Sequence, residues 1–119
     1  MSEFAPLFEE LRGIMLPYAE QLVCTVDDHN ELSLDTRHLM KNKKPLWFGG
    51  VQIKKRYVSY HLMPVYVNPK LLDGLSPELK KRMQGKSCFN FRKSEASLVE
   101  ELSAFTKAGF EDYRTQGFV

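Results

Sequence analysis

Hydrophobic residues recur near the start of the chain with a helical period. Leu7, Phe8, Leu11, Ile14 and Met15 share one face, with Glu3, Glu9, Glu10 and Arg12 on the other. Pro17 should end or kink this helix, because proline lacks the N–H that the next turn needs. From Leu22 the period drops to two. Leu22, Cys24 and Val26 alternate with Val23 and Thr25, Asp27-Asp28-His29-Asn30 reads as a turn, and Leu32 and Leu34 resume the alternation, which predicts a hairpin.

A polar, cationic connection runs from Arg37 to Pro45. Beyond it, 46–53 and 57–67 are rich in aromatic and β-branched residues and are separated by Lys54-Lys55-Arg56, which predicts a second hairpin. Gly49 and Gly50 within its first strand point to a bulge or to close approach of something to the backbone.

Asn68-Pro69 marks a break. Ser76-Pro77-Glu78 then supplies a cap, a first-turn proline and an early acid for a short helix reaching about Met83, with Gly85 placed to stop it. A short strand follows, with Phe89 and Phe91 on one face and Cys88, Asn90 and Arg92 on the other. Ser94 is placed to cap the longest helix, whose stripe of Val99, Leu102, Thr106, Phe110 and Tyr113 lies opposite Glu100, Glu101, Lys107 and Glu111. Strands in the middle and helices at both ends predict an α+β fold: two layers, an antiparallel sheet of about five strands with helices packed on one face.

Composition adds a size limit and a charge map. The 119 residues, 43% of them hydrophobic, suit one domain over residues 1–119 that buries roughly two-thirds of its unfolded surface. No segment approaches the roughly 18 apolar residues of a membrane span, and the first residues carry no secretion pattern, so a cytoplasmic protein without a membrane partner is expected. Cys24 and Cys88 are too few for a disulfide framework and read as free thiols. Fourteen of the 17 Lys and Arg lie between Arg37 and Lys93, a stretch with two acids, Asp73 and Glu78, so a net charge of +2 conceals a basic centre flanked by acidic ends. Such a distribution permits self-association that weakens with salt.

The densest part of the basic stretch is 80–92, where cations, a glycine, a thiol and two phenylalanines crowd together. Gly85-Lys86-Ser87 imitates the end of a phosphate-binding loop, but the earlier glycine such a loop requires is replaced by Lys80 and the order is helix then strand, so nucleotide hydrolysis is not expected. Arg82 and Lys86, if they point to one side, can hold a carboxylate or phosphate. Cys88 and His61 are candidates for a thiolate–imidazole pair, against the plainer reading of a small buried thiol and a hydrogen-bonded strand histidine. Asp27, Asp28, His29, Glu31 and His38 are of metal-ligating type, although Asp-Asp-His-Asn is also ordinary turn chemistry. Trp47, Phe48, Tyr57, Tyr60, Phe89 and Phe91 among lysines would suit single-stranded nucleic acid if the rings faced outward.

Three runs carry a resemblance: Leu46-Trp47-Phe48-Gly49-Gly50-Val51, Tyr57-Val58-Ser59-Tyr60-His61-Leu62-Met63-Pro64, and 75–91 from Leu75-Ser76-Pro77-Glu78 to Cys88-Phe89-Asn90-Phe91. These, with Leu102 and Ala108-Gly109-Phe110, resemble the YdhG-like family of small bacterial proteins. The resemblance implies an α+β fold and, for one branch, a frataxin-like intracellular iron chaperone whose iron binding relies on acidic surface residues. Here such residues would be Glu3, Glu9, Glu10 and Glu20.

The expectation is therefore a cytoplasmic, non-enzymatic binding module for a small anionic ligand or an acidic protein surface. Its site would use Trp47, Tyr57, His61, Arg82 and Lys86, the rings for packing and the charged groups for the anion, with Lys44 and Cys88 as outer members. Iron chaperoning, with iron as the one cofactor the resemblance suggests, and nucleic-acid binding are the alternatives.

Overall fold

The computed structural model describes residues 4–85 and 87–119. Helix α1, Ala5–Met15, is followed by a 3-10 turn, Leu16–Gln21, where Pro17 interrupts the regular hydrogen bonding. Five strands come next: β1 Val23–Asp27, β2 Glu31–Leu39, β3 Pro45–Ile53, β4 Val58–Leu62 and β5 Cys88–Phe91. They form one sheet in the order β1-β2-β3-β4-β5, every neighbouring pair antiparallel. Between β4 and β5 lie α2, Pro64–Val67, a 3-10 turn, Pro69–Gly74, and α3, Pro77–Lys80; α4, Ala96–Thr115, closes the fold.

The core lies between the sheet and the two long helices. Leu7, Phe8, Leu11 and Met15 of α1 meet Leu102, Phe105, Phe110 and Tyr113 of α4 over Leu32, Leu34, Phe48, Tyr60, Leu62, Phe89 and Phe91 of the sheet. Two polar links join the sheet to α4 across it among the described residues, one of them from the Tyr113 hydroxyl to Trp47 O at 2.9 Å. Thr106 Oγ1 donates to Leu102 O at 2.8 Å, which uses its single hydrogen, so the Tyr60 hydroxyl 2.5 Å away is the donor to Thr106.

Both glycines of β3 exist because neighbouring strands come close. A side chain at Gly49 would collide with His61 O, and one at Gly50 would collide with Leu32 O. A bulge accompanies them: Leu34 pairs with Gly49, but Asp35 pairs with Trp47, leaving Phe48 without an opposite residue and free to enter the core.

The structure alters four sequence expectations. Arg37–Leu39 extend β2 instead of opening a loop. The second strand of the central hairpin stops at Leu62, and Pro64, with φ fixed near the helical value, starts α2 where a strand was expected. Helix α3 stops at Lys80, three residues short of Met83, which forms a bridge to Phe89 instead. Ser94 does not cap α4: Glu95 occupies the cap position, and the Ser94 hydroxyl donates to Glu10 at 2.6 Å, tying the start of α4 to α1. Ser76 does cap α3, accepting from Leu79 N–H at 3.2 Å, and Gly85 takes the left-handed φ of +79°.

Candidate functional site

Directly opposed residues of an antiparallel sheet share a face, so the strand register sets out the side of the sheet turned away from α1 and α4. One row runs Val23, Asp35, Trp47; the next Ser33, Gly50, His61, Cys88; the third Glu31, Gln52, Ser59, Asn90. One step beyond the Val58–Phe91 pair, Tyr57 and Arg92 end the same face.

Polar contacts fix these side chains. Gly50 has no side chain to obstruct the Trp47 indole, whose edge comes within 3.3 Å of where a Cβ would stand. Trp47 Nε1 donates to Ser33 Oγ at 2.9 Å, and its ring lies 5.4 Å from that of His61, tilted by 44°. His61 Nε2 is 3.1 Å from Ser59 Oγ and 3.8 Å from Cys88 Sγ, and Cys88 in turn donates to Asn90 Oδ1 at 3.4 Å. Trp47, His61 and Cys88 are thus brought together, apart from Tyr57 and Arg82 with which they were expected to form one site.

Their chemistry is that of neutral groups. Burial raises the Cys88 thiol above its ordinary value, outweighing the opposing pull of Lys54. Burial first and Lys54 second push the His61 imidazole below its own. An activated nucleophile needs both shifts reversed, and the one thiol hydrogen points to Asn90. The plainer reading of this pair is favoured.

Tyr57 and Arg82 meet at the end of the same face. With Lys81, Met83, Gln84, Asn90 and Arg92 they line a groove of about 360 Å³. Arg82 is held there by the chain on both sides. Upstream, the Glu101 carboxylate accepts from Ser76 N and Oγ at 2.7 and 2.6 Å, anchoring α3 to α4. Downstream, residues 82–84 lie along the outer edge of β5 through Asn90 N–H to Arg82 O and Gln84 N–H to Cys88 O, both 2.8 Å. The Arg82 guanidinium pairs with Glu95, while its Nε is buried with no hydrogen-bond partner among the described residues. Asn90 touches Cys88 and also lines the groove, so it joins the two clusters.

One expected member stands apart. Lys44 sits in the β2–β3 turn, which Met40 N–H closes onto Lys44 O at 2.9 Å. The nine residues of β3 put it about 25 Å from the Tyr57 end of the sheet. Lys86 lies outside the described residues.

Sequence reasoning left out Lys81, Asn90, Arg92, Lys55 and Arg56. A signal for Asn90 and Arg92 was present, since alternation along β5 already set them beside Cys88. Lys55 and Arg56 belong to the turn expected of the second hairpin, yet with Phe4 and Arg92 they line a second hollow of about 470 Å³. Among the described residues the ion pairs are Arg12 with Glu9 and Asp27, Arg82 with Glu95, and Arg114 with Glu111, so Lys55, Arg56, Lys81 and Arg92 carry uncompensated charge.

Four of the five metal-type residues, Asp27, Asp28, Glu31 and His38, have other contacts. Asp28 Oδ1 accepts from Asn30 and Glu31 N–H at 2.8 and 2.9 Å, closing the turn. Asp27 takes the Arg12 fork, Glu31 accepts from Gln52 at 2.8 Å, and His38 lies 4.5 Å from the Phe118 ring. Among the described residues no three His, Cys, Asp or Glu side chains stand close enough to hold a metal ion, and no helix is long and apolar enough to cross a membrane. No family model matches the chain, and neither does any curated protein or solved structure.

Proposed function

We propose that the protein is a non-enzymatic binding module that receives the anionic group of a small ligand in the groove of Tyr57, Lys81, Arg82, Asn90 and Arg92. The observation that supports this is the convergence of three cations on one concave surface, two of them, Lys81 and Arg92, without an ion-pair partner among the described residues. A guanidinium offers a planar pair of donors and an ammonium a point charge, which together suit phosphate or carboxylate. Tyr57 supplies a ring wall, and a concave site favours a small ligand over the flat surface of an acidic protein.

A cytoplasmic protein related to the YdhG-like family is part of the same proposal, resting on the residue runs of β3, β4 and 75–91. The iron-chaperone alternative is less favoured, because Glu9 pairs with Arg12 and Glu10 accepts from Ser94.

Calorimetric titration with inorganic phosphate tests the reading. Arg92→Ala is expected to weaken binding at least tenfold and Lys44→Ala to leave it unchanged. Equal affinity in all three proteins would remove the groove as the site.

A further inference from the structure

Arg92 is the shared wall of two hollows. On one side it lines the groove with Tyr57, Lys81 and Arg82; on the other it lines the hollow with Lys55 and Arg56. This arrangement follows from strand order. The β3–β4 turn carries Lys54-Lys55-Arg56 to the end of the sheet where β5 finishes, and 82–84 runs along the other side of β5, so the residue just after Phe91 lies between two basic segments.

From this geometry we infer that the ligand carries two or more linked phosphoryl groups, one in each hollow, with Arg92 between them. The inference rests on the proposed anion-binding groove and extends it. Charge selects the class. Arg82 is already paired with Glu95, which leaves Lys55, Arg56, Lys81 and Arg92 lining the two hollows without an ion-pair partner among the described residues. A single carboxylate or phosphate neutralises one or two of them, whereas a diphosphate or triphosphate group matches most of the set.

The ends of the track limit its length. Beyond Lys81 and Arg82 the adjoining hollow is lined by Glu78 and Glu95, whereas beyond Arg92 on the α1 side Glu10 is accompanied by Lys93. Acids at the Lys81 end repel a polyanion that runs on in that direction, which favours a short phosphate chain over a nucleic-acid strand.

The test compares inorganic phosphate, pyrophosphate and tripolyphosphate by calorimetry at one fixed ionic strength, using the wild-type chain, Lys55→Ala/Arg56→Ala, Arg92→Ala and the distant control Lys107→Ala. These side chains are exposed, and circular dichroism verifies that each variant is folded. Pyrophosphate or tripolyphosphate is expected to bind at least tenfold more tightly than phosphate. The double substitution should abolish that advantage while leaving phosphate affinity unchanged, and Arg92→Ala should weaken all three ligands. Phosphate binding without a pyrophosphate advantage overturns the two-lobed site and leaves the single groove standing. No binding of any of the three overturns both. An equal loss in Lys107→Ala overturns the inference in favour of general surface charge.

Discussion

Strand β4 faces two environments. Val58, Tyr60 and Leu62 enter the core with 0% exposure, while Ser59 and His61 alternate with them on the side that carries Trp47, Cys88 and Asn90. On the helix side, the sheet's side chains are held mainly by apolar contact. On the other side they are held by donors and acceptors at 2.9 to 3.8 Å. The first arrangement contributes stability in proportion to buried area. The second contributes little net stability but sets which chemical groups the sheet turns outward. Substitutions should therefore separate along the two faces, with a large loss of stability on one and a small loss on the other.

The sharpest way to break that contrast is a pair of neighbours in β5. Phe89→Ala is expected to cost about 3–5 kcal/mol, because a ring at 0% exposure is removed from the core. Asn90→Ala, one position on, should cost about 1 kcal/mol or less. Urea denaturation measures both, and similar losses would erase the distinction between the faces.

Gly50→Ala tests the contact between the faces. Its methyl would strike Leu32 O and press on the Trp47 ring, so a loss of about 3 kcal/mol is expected. The chain has one tryptophan, so its fluorescence reports displacement of Trp47 from His61 directly. An unchanged spectrum with unchanged stability would mean that β2 and β3 are not packed as described.

A smaller effect comes from pH. The folded His61 imidazole binds a proton less readily than the unfolded one, so its contribution to stability is complete above the unfolded value near 6.5 and declines as pH falls through it. The wild-type urea midpoint should fall faster than that of His61→Gln between pH 7.5 and 5. Parallel curves would place His61 in water.

The smallest expected difference concerns reaction rate alone. Cys24 is exposed, while Cys88 is half-buried with its thiol shifted upward, so iodoacetamide at pH 7 should label Cys24 first. Faster labelling of Cys88 would restore the nucleophile reading.

Period and punctuation made most of the fold legible. The spacing of Leu7 to Met15, the alternation around Leu32 and Phe89, and the Ser76-Pro77 start are local signals, and each produced its element. What failed was decided by tertiary contact. Tyr66 and Val67 have strand propensity, but Pro64 and the approach of α4 at Gly109 to its ring turn that segment into a helix. Ser94 has the chemistry of a cap, yet its hydroxyl meets Glu10, a residue 84 positions away. The site divides in the same way. Trp47, His61 and Cys88 lie in adjoining strands and could be grouped from register alone. The meeting of Lys55, Arg56, Lys81 and Arg92 depends on where two turns and the end of β5 fall in space, which linear spacing does not encode.

The path of 82–84 along β5 also governs how copies of the chain meet one another when crowded. Lying against the outer side of β5, this segment occupies backbone groups that would otherwise offer a template for strand addition. The opposite border is protected differently: β1 has five residues, its register slips between Cys24 and Val26, and the Arg12 fork holds its last residue, Asp27. Neither border presents a long, regular row of donors and acceptors, and the sheet is thereby guarded against edge-to-edge growth into fibres.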